Sequence, residues 1–272
     1  MDVSGYALIT GGASGIGKAC AKAFALEGCA GIALLDVDTE ALGEAKMEVE
    51  GCLEPGARRE QCPILIHNVD VSDETQVNKI VEEVAQTFGR IDYVVNAAGI
   101  ALKHVGGTAF AKTVDWSRTV NINLTGTFFV LRAAANVMLR QRPIMSDIDG
   151  RPLQRGSIIN FASIQGVVGI ELSAAYTATK HAVIGLTRTA SLDFAEEGLR
   201  VNAICPGYTE TPMTTRSPEV LKAMEERVGT AVPMRRMGDP KEIADGVLYL
   251  AGGRSSFVTG SALMVDGGYT SR

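Results

Sequence analysis

The stretch YALITGGASGIG, from Tyr6 to Gly17, decides the fold. A short apolar run typical of a buried strand stops at a glycine-rich turn, and helix-forming sequence follows from Lys18 to Glu27. Such a strand, turn and helix start point free backbone N–H groups and the positive end of the helix dipole at an anion. Glycine is needed because a Cβ would hold a pyrophosphate away from the backbone. The residues expected to form this phosphate-binding turn are Gly11, Ser14, Gly15, Ile16 and Gly17.

Strand and helix patterns alternate along the rest of the chain, without a repeat array. Apolar runs of strand length recur, each followed by sequence typical of a helix. This predicts an α/β fold, a Rossmann-like, three-layer, doubly wound parallel sheet of about seven strands with helices on both faces. The later predicted strands are Gly31–Leu35, Pro63–Val69, Ile91–Val95, Gly156–Ala162, Leu199–Cys205 and Ala262–Val265. The later predicted helices are Thr39–Val49, one from about Asp73 to Phe88, a long one after Asp115, Ala174–Glu197, a mixed stretch Thr214–Met237, and Lys241–Ala251.

Length and composition limit the domain organisation. The chain has 272 residues, 46% of them hydrophobic, which suffices for one α/β domain with a substantial core. We expect a single dinucleotide-binding catalytic domain over residues 1–272. A substrate lid is expected at about 208–237, and a surface insertion bearing proline and charge at about 140–155.

Charge, hydropathy and cysteine spacing exclude several classes of partner. The net charge is −5 and no basic patch dominates, which argues against a nucleic-acid partner. No apolar run reaches the ~18 residues of a membrane span, and the N-terminus enters a strand too soon for a signal peptide. The five cysteines are scattered without metal-ligand spacing, so we expect no metal site and a reducing, cytoplasmic setting.

The candidate site residues share one position in the predicted fold. In open parallel sheets, ligands bind in the crevice at the carboxyl ends of the strands. Each candidate follows a predicted strand directly, and this common placement indicates a binding edge. The candidates are the glycine turn, Asp36, Asp70, Asn96, Ser163 and Pro206.

Asp36 predicts the cofactor. It lies 19 positions beyond Gly17, about where an acidic residue hydrogen-bonds the adenosine ribose. A carboxylate there accepts hydrogen bonds from both ribose hydroxyls and repels a 2′-phosphate of charge near −2. Neither Val37 nor Ser14 offers a cation, and Asp38 adds negative charge. NAD is therefore favoured over NADP, although a solvated carboxylate at a strand end would look the same in sequence.

Tyr176 and Lys180 stand four positions apart in a predicted helix, so they share one face. A tyrosine ionises near pH ~10. A cation roughly 6 Å away, at an effective dielectric of ~20, favours tyrosinate by about 3 kcal/mol, or ~2 pKa units. That shift would suit acid/base work. Ser163, at a strand end, brings a hydroxyl close, but a Tyr-x-x-x-Lys pair alone is ordinary helix surface.

Two asparagine segments stay ambiguous by their residues alone. The small residues in Asn96-Ala97-Ala98-Gly99 would let backbone pack close to a cofactor, and a plain tight turn explains them equally well. Asn123 lies inside the predicted long helix, where asparagine is unfavourable by propensity. Gly126 nearby permits close approach of another element.

Taken together, these motifs resemble the short-chain dehydrogenase/reductase family in its single-domain form, over essentially the whole chain. Ser163 and Tyr176 stand 13 positions apart and Tyr176 and Lys180 four apart, as the family requires. The residues that carry the resemblance are Thr10–Gly17, Asp70, Asn96–Gly99, Asn123, Ser163, Tyr176, Lys180, Pro206–Gly207 and Thr211.

The resemblance implies roles for these residues. Tyr176 would be the acid/base, Ser163 would hydrogen-bond the substrate oxygen, and Lys180 would bind the nicotinamide ribose and lower the pKa of Tyr176. Asn123 would help to hold a water that joins Lys180 to solvent. Asp70 and Val71 would contact adenine, and Thr211 the carboxamide side of the nicotinamide. The other cofactor-binding residues expected are Val37, Asn96, Ala97, Gly99, Pro206, Gly207 and Thr209.

The resemblance also implies hydride transfer between NAD(H) and a secondary alcohol or ketone, by a homotetramer or homodimer. Ile164–Leu172 carries one charge and no cation, so we expect a neutral, largely apolar substrate. One alternative is an NADP-dependent 3-oxoacyl reductase, which Asp36 opposes. Another is a protein that senses dinucleotide without turnover, although the set Asn123, Ser163, Tyr176 and Lys180 is complete.

Two further features lie outside these motifs. The insertion from Arg140 to Arg155 joins a helix to the start of a strand, so we expect it at the sheet edge opposite the site. His67 and His181 are interpreted as structural. His104 lies in the loop from Ile100 to Asp115, near the site edge, and either a loop role or substrate contact fits it.

Overall fold

The computed structural model describes residues 1–53, 62–146, 148–215 and 218–271. Its main sheet has seven strands in the order β3-β2-β1-β4-β7-β8-β9, and every neighbouring pair is parallel. The predicted α/β fold with a doubly wound parallel sheet is confirmed. The strands of this sheet are β1 Tyr6–Thr10, β2 Gly31–Asp36, β3 Ile64–Asn68, β4 Tyr93–Asn96, β7 Gly156–Phe161, β8 Leu199–Pro206 and β9 Ala262–Val265.

Helices cover both faces of this sheet and enclose two apolar clusters. On one face α1, α2 and α9 pack over side chains such as Ile9 and Leu34. On the other face α3, α5 and α6 pack over Leu8 and Leu35, whose side chains alternate with the first set along the same strands. The helices are α1 Gly15–Glu27, α2 Thr39–Glu50, α3 Glu74–Phe88, α4 Thr113–Val120, α5 Thr127–Met138, α6 Ala174–Phe194, α7 Pro212–Thr215, α8 Pro218–Ala231 and α9 Pro240–Ala251.

Burial on both faces explains why the strands read as continuous apolar runs. Leu8 and Ile9 are both fully buried, and burying such a side chain stabilises the fold by about 1.5–3 kcal/mol. The crossover helices return the chain to the same edge each time. Every strand of the sheet therefore ends at one edge, where the polar candidates follow.

The predicted long helix after Asp115 is interrupted. Between α4 and α5 the segment Asn121–Gly126 forms a π-helical turn, which widens the helix by one residue. Gly126 is buried there, and a Cβ on it would lie 2.8 Å from Cγ2 of Val71. The turn therefore lets the β3–α3 connection approach the helix closely.

The insertion contains a small antiparallel hairpin that the sequence did not predict, formed by β5 Ile144–Met145 and β6 Pro152–Gln154. Ser146 Oγ donates a hydrogen bond to Asp2 Oδ2 at 2.8 Å, and Gln154 Nε2 donates to the carbonyl of Ala251 at 2.8 Å. The hairpin therefore packs against the N-terminus and the end of α9. This is the amino edge of the sheet, as predicted.

The segment predicted as a substrate lid, at about 208–237, contains α7 and α8. Residues 216 and 217 of this segment lie outside the described part of the chain, as do residues 54–61. Val228 and Val232 are buried, so part of the apolar content of the lid fastens it to the body. Within the described ranges, no helix is long and apolar enough to cross a membrane.

Candidate active site

The glycine turn joins β1 to α1 in left-handed backbone conformations. Gly11 has φ +66° and Gly15 has φ +51°, values that side-chain-bearing residues rarely adopt. A Cβ on Gly11 would lie 2.9 Å from the carbonyl carbon of Ala97, and one on Gly17 would lie 2.1 Å from the carbonyl oxygen of Gly11. Ser14 precedes α1 without a capping hydrogen bond from its side chain, so the helix start can receive a phosphate.

Asp36, at the end of β2, is held against this turn. Its Oδ2 accepts a hydrogen bond from the N–H of Ala13 at 3.2 Å, and its Oδ1 accepts from the N–H of Val37 at 2.8 Å. These bonds fix the carboxylate at the mouth of the turn before any ligand arrives. Val37 is exposed and adds no charge.

The two lysines of α1 do not offset the negative charge of Asp36, because both are engaged elsewhere. Lys18 donates to Glu48 at 2.7 Å and Lys22 at 2.5 Å. Their hydrogen bonds lower the pKa of the Glu48 carboxyl to about 2. Both lysines of α1 are thus paired with Glu48 rather than with Asp36.

Asp70 and Val71 follow β3 beside Asp36. The N–H of Val69 donates to the carbonyl of Asp36 at 2.9 Å, which joins the two strand ends. Asp70 Oδ1 accepts from Oγ of Ser72 at 2.7 Å and stays at the surface, while Val71 is buried against Gly126. Both residues therefore lie next to the end of β2, and their contact with adenine stays a prediction.

The β4 end brings together only part of the predicted set. Asn96 is buried, and its Nδ2 donates to Oδ1 of Asn160 at 2.8 Å, so its side chain joins two strands rather than facing the crevice. A Cβ on Gly99 would lie 3.2 Å from Oδ1 of Asn123 and 3.8 Å from Nζ of Lys180. Gly99 and Ala97 therefore line the crevice through their backbone.

Asn123 lies in the π-helical turn, which accounts for an asparagine at this position. Its Oδ1 accepts from the N–H of Ile100 at 2.8 Å, and its Nδ2 donates to the carbonyl of Ile100 at 2.9 Å. A longer contact of 3.4 Å joins Nδ2 to Oγ1 of Thr179. The side chain thus fastens the β4 loop to α6.

Ser163 follows β7 and is buried beside the catalytic helix. Its Oγ accepts a hydrogen bond from the N–H of Gln165 at 3.1 Å, which leaves the hydroxyl proton free to be donated. Gln165 is itself held, because its Oε1 accepts from Oγ1 of Thr177 at 2.7 Å. Gln165 thus connects the Ser163 hydroxyl to Thr177 of α6.

Tyr176 and Lys180 lie side by side on α6, as predicted. Nζ of Lys180 is 5.4 Å from the centroid of the Tyr176 ring and donates to the carbonyl of Phe161 at 2.6 Å. The pKa of Tyr176 was predicted to be lowered, and this is wrong for this structure. Burial raises the pKa of the phenol, the Ser163 hydroxyl lowers it in part, and the Cys205 thiol adds to the rise.

Burial also explains why the charge of Lys180 does not lower the pKa of Tyr176. It lowers the pKa of the Lys180 ammonium to about 8, so this group loses its proton before the phenol does. The sequence argument assumed a partly solvated pair, whereas Lys180 is buried and Tyr176 is half-buried, which makes the charged form of each group costly. Tyr176 is thus a neutral phenol that holds a transferable proton.

Pro206 and Gly207 end β8 and lead into the lid. A Cβ on Gly207 would lie 2.7 Å from Cα of Asp266, a residue that the sequence analysis did not assign to the site. Oδ2 of Asp266 accepts from Oγ1 of Thr270 at 2.6 Å, which fixes the turn after β9. The sequence Asp266-Gly267-Gly268 directly after a predicted strand could have indicated a tight turn at this edge of the sheet.

The start of the lid crosses the glycine turn. A Cβ on Gly15 would meet Thr211 at 3.5 Å, so these two segments are in van der Waals range. Thr209 is buried, and its carbonyl accepts from Oγ1 of Thr214 at 2.6 Å. Thr211 therefore lies against the glycine turn, and Thr209 is buried two residues before it.

Cys205 is the second residue that sequence reasoning missed. Its thiol is fully buried between Ser163 and Lys180, and burial raises its pKa to about 11. The thiol therefore stays protonated and neutral. In the sequence it is only one of five scattered cysteines, which does not indicate this position.

Known proteins resemble this chain over nearly its whole length. The sequence profile of a family described as Enoyl-(Acyl carrier protein) reductase matches residues 11–270. Short-chain dehydrogenase fogB of Aspergillus ruber is 40% identical over 272 residues, which cover 99% of this chain and 98% of that protein. The 3-oxoacyl-[acyl-carrier-protein] reductase FabG of Thermotoga maritima is 39% identical, with 96% of each chain covered.

Solved structures agree with these matches. Levodione reductase superimposes with a TM-score of 0.86 at 34% identity, covering 100% of this chain and 99% of the other. ElxO, solved with NADP bound, superimposes with a TM-score of 0.83 at 32% identity, covering 99% of this chain and 100% of the other.

Proposed function

The chain belongs to the short-chain dehydrogenase/reductase family, an oxidoreductase family that uses a nicotinamide cofactor on CH–OH groups. We propose that it transfers a hydride between NAD(H) and a neutral, largely apolar secondary alcohol or ketone. The observation that carries this is the convergence of Ser163, Tyr176 and Lys180 at the strand edge that also holds the glycine turn. The cofactor supplies or takes the hydride at the substrate carbon. The protein residues handle the proton and the geometry.

Tyr176 is proposed as the acid/base. In reduction its phenolic proton passes to the carbonyl oxygen as the hydride reaches the carbon, which leaves a tyrosinate; in oxidation the tyrosinate accepts the proton of the alcohol. The free hydroxyl proton of Ser163 donates to the same oxygen and stabilises the developing charge. The ammonium of Lys180 binds the nicotinamide ribose and stands ready to restore the proton of Tyr176.

Asn123 is proposed to position this proton path. Both polar groups of its side chain are occupied by the backbone of Ile100. The water that joins Lys180 to solvent is therefore held by the backbone carbonyl of Asn123, which also accepts from Oγ1 of Thr127 at 2.8 Å. The side chain fixes the direction in which that carbonyl points.

NAD is proposed as the physiological cofactor. The carboxylate of Asp36 is fixed at the glycine turn, and a 2′-phosphate of charge near −2 would be repelled there. The lysines of α1 are paired with Glu48, which supports the same choice. Val37 is expected to contact the adenosine ribose through its backbone.

An NADP-dependent 3-oxoacyl reductase is the second candidate. Its support is the 39% identity to FabG and the likeness to ElxO, which was solved with NADP bound. The charge distribution around Asp36 opposes it. The comparison of NADH with NADPH separates the two proposals directly.

The walls of the proposed substrate pocket support a neutral substrate. Val167, Leu172 and Met213 are partly exposed apolar residues on the loop before α6 and at the lid start. One cation of α8, Arg227, forms an ion pair with Glu171 of the loop before α6 at 3.7 Å. An anionic substrate would have to compete with that carboxylate or be buried unpaired, at a cost of several kcal/mol.

The decisive experiment is turnover with purified protein across secondary alcohols and ketones, with NAD(H) and NADP(H) in parallel. Neutral apolar substrates with NAD(H) should outperform phosphorylated and free acidic ones. A panel in which acidic substrates win would overturn the substrate proposal. Cofactor binding without turnover of any substrate would favour a dinucleotide-sensing protein instead.

Assembly into a homotetramer or homodimer is also proposed, through the helices around Asn123 and Tyr176. Large apolar side chains are exposed on these helices, among them Phe128 of α5 and Leu192 of α6, which is 80% exposed. A cytoplasmic location, based on the scattered thiols, belongs to the same proposal. Light scattering that shows a monomer at micromolar concentration would contradict the assembly.

A further inference from the structure

His104 turns inward from a loop that is otherwise largely exposed. Its neighbours Lys103 and Val105 are exposed, Val105 to 87%, whereas His104 is 3% exposed. Its Nε2 is buried and has no hydrogen-bond partner among the described residues. A buried imidazole nitrogen without a partner costs free energy, because it has lost its hydrogen bonds to water and no protein group replaces them. Such an atom indicates a partner that the chain itself does not supply.

The backbone of His104 is fixed on the substrate side of the site. Its N–H donates to the carbonyl of Leu172 at 2.8 Å, and its own carbonyl accepts from the N–H of Gly107 at 2.9 Å. Leu172 lies four residues before Tyr176 and has φ +63°, a conformation that non-glycine residues rarely adopt. The loop that carries His104 is thus bonded to the segment that leads from Ser163 to Tyr176.

The other end of the same loop is anchored to the catalytic group. Ile100 is held by the Asn123 side chain, and four residues of chain span at most ~14 Å. The loop that carries His104 is therefore bonded to Asn123 at Ile100 and to the segment before α6 at His104 itself. The other buried and unpartnered side-chain atoms in the described ranges belong to His67, Tyr93 and Asn96, which lie within strands of the sheet.

We propose that His104 is a specificity-determining residue whose Nε2 hydrogen-bonds a second oxygen of the substrate, a hydroxyl or keto group remote from the reacting carbon. The reacting oxygen has two lone pairs, and the hydroxyls of Ser163 and Tyr176 take both. His104 is therefore left for another oxygen. This inference rests on the proposed function and narrows its substrate class to neutral cyclic ketones or alcohols that carry a second oxygen.

Matched substrate pairs test this inference. The pairs are cyclohexane-1,4-dione with cyclohexanone, decalin-1,5-dione with 1-decalone, and androstane-3,17-dione with androstan-3-one. For each pair we would measure kcat/KM with NADH, and also the protection of the NADH-bound protein against thermal unfolding. The wild type should prefer the dioxygenated member of at least one pair by roughly two- to thirteenfold, the range of a neutral hydrogen bond.

The variants are His104→Phe, which keeps a ring of similar size, and His104→Gln, which keeps a hydrogen-bonding group. His104→Phe should lose the preference while it retains kcat/KM for the monoketone, and His104→Gln should keep part of the preference. Val105→Ala, the exposed neighbour, is the control and should behave as the wild type.

Two outcomes would overturn the role of His104. One is a wild type that treats both members of every pair alike, including one that binds none of them. The other is an equal loss of both members in His104→Phe, which indicates a purely structural residue. Failure of the proposed function is recognised separately, because it abolishes NADH oxidation for the whole ketone panel whatever the residue at position 104.

Discussion

At the cofactor end of the site, glycines lie against backbone atoms, whereas at the substrate end apolar side chains are partly exposed. A Cβ on Gly17 would lie 2.1 Å from a carbonyl oxygen, so this position admits one residue type. Val167 and Met213 across the crevice are 42% and 45% exposed. No comparable steric limit applies to them. Substitution at the cofactor end is therefore limited by backbone geometry, and at the substrate end by the ligand.

This difference teaches which properties the chain defines by itself. The phosphate-binding turn and the Asp36 carboxylate are arranged by contacts within the protein, without a ligand. The side chains at the proposed substrate end, such as Val167 and Met213, stay partly exposed. The proposed chemistry therefore rests on residues that the fold holds in place, while the proposed substrate class rests on a few polar groups such as His104. The following predictions test this division, beginning with the largest effect.

Tyr176→Phe should reduce kcat by about 10²–10⁴-fold while NADH binds nearly as before, because only the transferable proton is removed. Tyr249→Phe, which alters a partly exposed tyrosine of α9, is the matched control and should change neither kcat nor NADH binding. Steady-state rates and NADH fluorescence titration give the two readouts. Rates like those of the wild type in Tyr176→Phe would refute the catalytic assignment.

Lys180→Met should change the pH dependence of folding stability. Burial lowers the pKa of Lys180 to about 8, so the folded state disfavours the ammonium. Below pH ~8 both states hold the proton and the folded state carries the cost. Between pH ~8 and ~10.5 the unfolded chain binds more protons, so stability rises with pH by about 3 kcal/mol at most.

The variant lacks this titration, so its stability advantage over the wild type should be largest below pH 8 and should vanish near pH ~10.5. Denaturant titrations at several pH values measure it. Lys79→Met, at an exposed position of α3, should show no such trend. A difference between Lys180→Met and wild type that is constant with pH would contradict the burial argument.

Gly17→Ala and Gly43→Ala compare a constrained glycine with an unconstrained one. The Cβ at position 17 would strike the Gly11 carbonyl, whereas a Cβ at position 43 would meet nothing within 4 Å. Gly17→Ala should lower the free energy of unfolding by about 1–3 kcal/mol and weaken NADH binding. Gly43→Ala in α2 should raise it by about 0.5–1 kcal/mol. Equal behaviour of the two variants in thermal unfolding would remove the steric basis of the comparison.

Sequence reasoning succeeded where a feature depends on neighbouring residues. The strand, glycine turn and helix start at Tyr6–Gly17 form one local pattern, and Asp36 follows its strand directly. The spacing of Tyr176 and Lys180 was sufficient to place them on one helix face. These features needed only the periodicity of strands and helices.

The features that were missed depend on contacts between distant parts of the chain. Asn123, in the π-helical turn, pairs with Ile100, 23 residues away. The pairing of Asn96 with Asn160 joins residues 64 positions apart and turns the Asn96 side chain away from the crevice. The raised pKa of Tyr176 results from burial by the complete fold. No local pattern reports any of these.

Asp36→Ala sharpens the comparison at the cofactor end. The wild type should prefer NAD over NADP in kcat/KM by about 5–150-fold, equivalent to 1–3 kcal/mol for a charged hydrogen bond. The variant should narrow this ratio because the repulsion and the ribose contacts are both lost. Asp38→Asn, which removes a charge but keeps the capping oxygen of α2, should narrow it less. Equal use of both cofactors by the wild type would refute the role of Asp36.

Trimming the insertion tests the edge that faces away from the site, and here we expect almost no effect on KM. Replacing residues 145–153 with a short Gly/Ser link removes the Ser146–Asp2 bond and the Arg151 bond to the Gly253 carbonyl. Each bond contributes about 0.5–1.5 kcal/mol, so the free energy of unfolding should fall modestly, while loop closure itself costs little. Ser146→Ala alone should reproduce part of this loss of stability.

KM within about twofold of wild type would agree with a purely structural hairpin at the amino edge. A large rise in KM would mean that the hairpin reaches a site, and since it lies at the opposite edge of its own sheet, that site would belong to a neighbouring subunit.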